Sequence, residues 1–312
     1  MTQRELAVSR ETLDNPDAGW VLDWQSTALR QRIDRALADA VAPIPCSTLF
    51  EAMRYSVLGL GKRLRPILCL ISTEITGGSP DTALPTACAL EMLHAATLIH
   101  DDLPAMDNDD LRRGRPANHK VFGEGMALLG GDALLAYSLE YILTHTKGVD
   151  SARLLRVVDT LVRVVGVSGL TGGQAMDLEF AGRDDVGLAE LELMHSRKTA
   201  ALIQASVATG AILAGASDDV IDRLWAYAGK LGLAYQIVDD VLDETGTSQQ
   251  LGKTAGSDRV NYKVTVPRVL GVEGSMARAA ELVGAAKAYL DPFGDRAEPL
   301  RAMADYTCSR QS

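Results

Sequence analysis

Aromatic residues are scarce: Phe, Trp and Tyr supply 5% of the 312 residues. Ala, Leu and Val fill the apolar positions instead, a composition that suits helix better than sheet. No segment alternates apolar and polar residues over a convincing strand length. Basic residues are in deficit, and the net charge is −10. That argues against a general surface for nucleic acid or anionic membrane. It leaves room for an anionic substrate, because local arginines and a metal ion can outvote the global charge. The four cysteines, Cys46, Cys69, Cys88 and Cys308, show no metal-type spacing and suit reduced thiols in a cytoplasmic protein. No uninterrupted apolar run reaches membrane-spanning length, so no transmembrane segment is expected. Repeats, low-complexity tracts and Pro/Ser-rich linkers are lacking too. Residues 1–22 carry Glu5, Glu11, Asp14 and Asp17 and no apolar core, unlike a secretory or transit peptide. They are expected to form a tail ahead of one all-α domain spanning 23–312.

Helical signals punctuate the rest. Trp24 to Val41 repeats Leu29, Ile33 and Leu37 at helical spacing, and Pro43 and Pro45 end it. Thr48 with Glu51 has the capping-box spacing that opens a helix ending near Gly59 and Gly61. Pro66 suits a first helical turn, and Gly77-Gly78 a stop. Ser79-Pro80-Asp81 is a cap, a proline and a first-turn acid. Further helices are expected over Gly123 to Thr146, Ala152 to Leu170, Leu188 to Ala214 and Asp218 to Glu244, with two more near the C-terminus. Thr245 to Val260 is polar and glycine-rich, the best candidate for a mobile loop.

Two acidic clusters stand out. Asp101, Asp102, Asp107, Asp109 and Asp110 crowd one stretch, followed by Arg112, Arg113 and Arg115. Carboxylates this close raise one another's pKa, and a divalent cation removes that cost. Oxygen-only ligands favour a hard ion, and Mg²⁺ takes one or two carboxylates together with substrate phosphates. Arginines grip phosphate oxygens bidentately. The bland alternative is a solvated acidic loop. On one continuous helix Asp101 and Asp107 would point to different sides. Pro104 disfavours helical geometry at Leu103, so the chain is expected to leave the helix there and bring Asp107 back. The second cluster, Asp239, Asp240 and Asp243, lies near a helix C-terminus, where the dipole disfavours anions. Sequence that works against its own helix marks a functional site rather than a scaffold. The alternative is an exposed acidic helix end. A third element, Gly59-Leu-Gly-Lys-Arg-Leu-Arg-Pro66, puts cations beside glycines at a helix start, an anion site if not merely a basic turn.

Taken in chain order, these elements resemble the trans-isoprenyl diphosphate synthases. The resemblance continues through His94, Gly172-Gly-Gln-Ala-Met-Asp177, Lys198-Thr199, Gln236 and Leu251-Gly-Lys-Thr254, spanning about residues 50 to 272. The first cluster has the longer DDxxxxD form and looks like that of bacterial and plant geranylgeranyl diphosphate synthases and bacterial farnesyl diphosphate synthases. The resemblance implies an isoprenoid-synthase-type helical bundle around a deep central cavity, and a homodimer. It implies that Asp101, Asp102, Asp107, Asp239, Asp240 and Asp243 hold up to about three Mg²⁺ on an allylic diphosphate. Arg112, Lys198, Thr199, Gln236, Lys253 and Lys263 match allylic-diphosphate contacts. Lys62, Arg65, His94 and Arg113 match isopentenyl diphosphate contacts. The bland alternatives are a satisfied core histidine at His94, a surface lysine at Lys198 and a buried amide at Gln236. The reaction implied is ionisation of the allylic diphosphate, attack by the isopentenyl double bond and proton loss, the departing pyrophosphate taking the proton. Closure of the Thr245 to Val260 loop, with Lys253, would exclude water.

Product length would be set by the helix entering the first cluster. Ala96 and Thr97 are small where farnesyl-forming relatives tend to carry an aromatic, so a deep pocket and a geranylgeranyl product are expected, with Met92 and Leu93 as lower blocks. One departure follows Lys263: Val264-Thr265-Val266-Pro267 replaces the threonine-threonine-tyrosine-proline often seen in the family. Other readings are a farnesyl diphosphate synthase, a non-catalytic subunit that tunes a catalytic mate, and a terpene cyclase with the same aspartate and Mg²⁺ chemistry.

Overall fold

A computed structural model of the chain describes residues 28–42, 47–246 and 262–310. The expected N-terminal tail, Cys46, most of the proposed lid and Lys253 lie outside the described residues. Helices α1 (Ala28–Ala40), α2 (Thr48–Val57), α3 (Leu64–Ile75) and α4 (Pro80–Asp101) are followed by a hairpin of two-residue strands, β1 (Leu111–Arg112) and β2 (Arg115–Pro116). Then come α5 (Asn118–Phe122), α6 (Glu124–His145), α7 (Ser151–Val165), α8 (Leu170–Phe180), α9 (Leu188–His195), a π-helical turn at Ser196–Ala200, and α10 (Ala201–Ala214). α11 (Asp218–Thr245), α12 (Val266–Ala288), a 3₁₀ turn (Asp291–Ala297) and α13 (Glu298–Ser309) complete the described chain.

α10 is apolar all round and buried along nearly its whole length, the signature of a central core helix. Gly210 lets α3 approach it: a Cβ there would sit 2.3 Å from the Cys69 carbonyl oxygen. Ser72 Oγ donates to Val207 O at 2.6 Å, and Thr73 Oγ1 donates to Gly210 O at 3.2 Å. These hydroxyls satisfy buried carbonyls while locking the two helices together. α4 starts as its sequence signal requires: Ser79 caps it, accepting from the Asp81 N–H, and Pro80 occupies the first turn.

The structure corrects three expectations. Ser47, not Thr48, caps α2, its hydroxyl accepting from Phe50 N; Thr48 is the first helical residue, one position past the cap. The helix expected to run from Ala152 to Leu170 breaks at Gly166 and restarts after Gly169. A Cβ on Gly169 would meet Val164 O at 2.0 Å, so the reversal needs glycine. A short hairpin exists where no strand was expected, because two residues per strand leave no periodicity to read. As expected, no run is wholly apolar over a membrane-spanning length, although α4 and α6 are each long and apolar enough to cross a membrane by length and mean composition. α4 is mostly buried in the protein's own core, whereas α6 exposes Leu128, Leu129 and Leu143, each about half exposed.

Candidate active site

α4 ends at Asp101, and Asp102 is its C-cap. The chain turns at Leu103, whose carbonyl accepts from Met106 N and Asn108 N. Asp107 N then donates to Asp101 O at 2.9 Å, which is the expected return of the third aspartate. Burial raises the Asp101 carboxyl above its ordinary range, Lys198 opposes that shift, and Asp107 adds to it. Asp102 turns elsewhere. It is buried, accepts from Arg112 Nε at 2.8 Å, and has its pKa pushed up to about 6 by that burial. Arg112 also bonds Asp109 at 3.0 Å. Asp102 and Asp109 together aim the arginine, whereas Asp110 pairs with Lys120 at the surface.

The second cluster is no exposed helix end, since Asp240 and Asp243 on α11 are each 4% exposed. Asp240 accepts from Gln236 Nε2 at 2.8 Å and from Val266 N at 3.0 Å. Burial dominates these bonds and lifts its pKa to about 7. His195 Nε2 lies 3.7 Å from it. The Val266 contact is made by backbone at the start of α12, where Val264 and Val266 are buried. The departure after Lys263 does not prevent this bond, which is made by backbone and not by the changed side chains.

Lys198 and Thr199 sit on the π turn, whose extra residue per turn re-aims both within an otherwise continuous helix. Lys198 Nζ is 2.5 Å from Asp177 Oδ2, and Thr199 Oγ1 donates to Gln236 at 2.7 Å. Lys263 Nζ bridges Asp107 at 2.9 Å and Asp177 at 3.3 Å. Burial opposes the charge on Asp177, but Lys198 and Lys263 outweigh it and hold that carboxyl low. Both glycines of the Gly172-Gly-Gln motif have a steric cause: a Cβ on Gly172 would meet Val167 O at 1.9 Å, and one on Gly173 would lie 2.3 Å from Lys198 N, so its absence lets α8 press against the π turn.

A second end of the site is cationic. The hairpin turn places Arg113 (φ 54°) and Gly114 (φ 75°) in the left-handed region, as a two-residue type I′ loop demands. A non-glycine held there is uncommon, and it brings Arg113 NH2 to 3.3 Å from His94 Nε2. A Cβ on Gly61 would lie 2.4 Å from Arg113 NH1, which ties the basic turn to the hairpin. His94 is held neutral, its pKa well below normal, by burial and then by Arg65 and Arg113. Burial lowers Lys62, and the nearby Arg310 lowers it further. Arg65 Nε is buried and has no hydrogen-bond partner among the described residues. The sequence reading passed over two members of this end. Glu91 is buried on α4 and bonds Arg63 at 2.7 Å, which explains why Arg63 is the structural cation of its turn. Arg310, far along the chain, offered no local signal at all.

The carboxylates fit Mg²⁺ by donor chemistry. They are oxygen-only, and burial has raised Asp101 and Asp240 towards protonation, a cost a cation relieves. The Lys263 ammonium already lies between Asp107 and Asp177. Among the described residues no three acidic or histidine side chains converge closely enough to chelate an ion alone. That suits an ion whose remaining ligands come from a diphosphate. Ala96 and Met92 have no exposed surface, so the deep open floor expected there is closed in this structure. Thr97 is half-buried and bonds its own helix, donating to His94 O.

A family model described as polyprenyl synthetase matches residues 46–289. A dimethylallyltranstransferase of Fischerella ambigua is 51% identical over 90% of this chain and 81% of its own. A chloroplastic geranylgeranyl pyrophosphate synthase of Catharanthus roseus is 50% identical over 90% of this chain and 79% of its own. The crystal structure of a geranyltransferase from Helicobacter pylori, complexed with magnesium and isoprenyl diphosphate, superposes with a TM-score of 0.82. It is 30% identical and covers 93% of this chain and 98% of that one.

Proposed function

Since the chain belongs to the polyprenyl synthetase family, we propose that its two-ended site condenses isopentenyl diphosphate with an allylic diphosphate and yields geranylgeranyl diphosphate. The observation that carries this is the pairing of a carboxylate and lysine end with a separate cationic end, one for each diphosphate. Asp101, Asp107, Asp239, Asp240 and Asp243 would hold Mg²⁺, up to about three ions, against the allylic diphosphate. When bound, Mg²⁺ stabilises the negative charge that grows on the leaving group. Lys198, Lys263 and Arg112 add fixed positive charge to the same oxygens. Thr199 and Gln236 form a hydrogen-bonded link from the π turn to Asp240 and keep that wall rigid.

The isopentenyl diphosphate would sit on Lys62, Arg65 and Arg113, with neutral His94 donating one hydrogen bond. Among the described residues no side chain between the ends is assigned as base, and the departing pyrophosphate would take the proton. The small Ala96 and Thr97 favour a long product, the tail opening its own room past Met92. A terpene cyclase would have no use for the Lys62 and Arg65 end, and a non-catalytic subunit would not need both aspartate clusters. The exposed Leu128, Leu129 and Leu143 of α6 form an apolar face that suits a second copy of the chain, as in a homodimer.

Product analysis by mass spectrometry, with isopentenyl diphosphate, Mg²⁺ and each short allylic diphosphate in turn, tests the proposal. Geranylgeranyl diphosphate is the expected product. A farnesyl product refutes the length assignment, and no condensation with any starter refutes the activity.

A further inference from the structure

His100 stands one residue before the first aspartate cluster. Neighbours on a helix leave it about 100° apart, so the imidazole turns away from Asp101 and towards α6. Its Nε2 lies 3.1 Å from Leu128 O. A carbonyl can only accept, so this nitrogen carries a proton and donates. Asp132 Oδ1, 3.6 Å from the same nitrogen, favours that placement of the proton. Gly131 makes the room: a Cβ there would lie 2.1 Å from His100 Nε2. A glycine in mid-helix weakens it relative to alanine. The adjacent Gly130 has no such cause, since a Cβ on it would meet Ala52 at an ordinary 3.7 Å.

The backbone of His100 holds the turn as its side chain holds α6. His100 O accepts from Leu103 N at 3.2 Å, at the start of the loop that brings Asp107 back to Asp101. α4 ends here against its own electrostatics. Asp101 is its last residue and Asp102 its cap, where the helix dipole disfavours anions and helix ends fray. Arg112 clamps Asp102 from the hairpin. We propose that His100 is a positioning residue for the metal end: by fastening the last turn of α4 to α6 it fixes where Asp101 and the returning Asp107 lie, and so sets the affinity for Mg²⁺ beside the diphosphate. The inference rests on the function proposed above. α6, a continuous helix of 22 residues, then serves as the rigid support that a metal site takes from its outer shell.

Mn²⁺ binding in the presence of a non-ionisable thio analogue of geranyl diphosphate, read by electron paramagnetic resonance, tests this together with the Mg²⁺ dependence of initial rates. The amide nitrogen of His100→Asn stops short of Leu128 O. That variant should bind Mn²⁺ about tenfold more weakly, the usual effect of losing an outer-shell partner. Its half-saturating Mg²⁺ should rise by the same factor, with the KM for isopentenyl diphosphate at saturating Mg²⁺ unchanged. His100→Gln, whose amide nitrogen reaches as far as Nε2, should restore both. Gly131→Ala displaces the ring without altering α4 and should reproduce the loss, whereas Gly130→Ala should bind Mn²⁺ like the wild type. If Gly131→Ala does not fold, the contrast between Asn and Gln at position 100 decides alone. A histidine that only packs would lower the melting temperature in His100→Asn and leave metal affinity as it was; that result overturns the inference. So does a His100→Gln as impaired as His100→Asn, or a Gly130→Ala as impaired as Gly131→Ala. Each of these, with a wild type that condenses the substrates, overturns this inference alone. A wild type that binds no Mn²⁺ with the analogue overturns the proposed function with it.

Discussion

At the residue scale the site is a set of carboxyls kept ionisable against burial. Asp240 shows the consequence for pH. Its native pKa of about 7 exceeds the ordinary carboxyl value, about 3.9. Between those values the folded state holds a proton that the unfolded state has lost, so this group's contribution to stability falls as pH rises and is fully unfavourable above about pH 7. Metal binding needs the carboxylate and therefore weakens as pH falls through that range. Compared with Asp240→Asn, metal-free wild type should lose melting temperature on going from pH 5 to pH 8, and Mg²⁺ should restore it only at the higher pH. Equal pH profiles for the two proteins would contradict this. Under the proposed function, residue identity would also set product length. Ala96 has no free space around it, so Ala96→Tyr should shorten the product towards farnesyl diphosphate by refusing the tail its room; an unchanged product would place the floor elsewhere. The aspartates, Lys62, Arg65 and Lys198 were legible in sequence because each sits in a dense local motif. Glu91 and Arg310 were not, because their meaning comes from partners far away in sequence. Asp102 was legible as acidic but not as the holder of Arg112, which depends on the direction its side chain takes at the helix end.

At the element scale, close backbone approaches decide what the side chains can reach. Gly173 lets α8 rest on the π turn that carries Lys198 and Thr199. Gly173→Ala should push that turn away and lower kcat/KM for the allylic substrate at least tenfold, about 1.4 kcal/mol. Gly210→Ala, which wedges α3 from α10 far from the chemistry, should lower the melting temperature and leave the ratio of products unchanged. If both variants lose only stability, the π turn has no positioning role. Helix starts with a cap and a proline, as at Ser79-Pro80, were readable from sequence because capping is local. The hairpin at Arg113-Gly114 and the break at Gly166 to Gly169 were not, since neither has the length that periodicity requires. The π turn gave no sequence signal, because Ser196–Ala200 continues the helical pattern on both sides.

At the scale of the molecule, helices that converge on α10 bring two ends of one site together. α4 supplies the first aspartate cluster and His94, while α11 supplies the second cluster and Tyr235. The all-α fold followed from composition, and the aspartates could be assigned to helix ends before any contact was known. The outward apolar face of α6 was hidden by averaging over a helix whose other face packs inside. Replacing Leu128 and Leu129 by Asp should convert the proposed dimer to monomer in light scattering, with helical content kept; an unchanged mass would exclude that face as the interface. The division of labour between the ends is the central claim, and initial-rate kinetics of Lys62→Ala test it most directly. The expected result is a KM for isopentenyl diphosphate raised at least tenfold with the KM for the allylic diphosphate nearly unchanged, as loss of one binding cation requires. An equal rise in both constants, or none in either, would contradict the assignment of the cationic end to the second diphosphate.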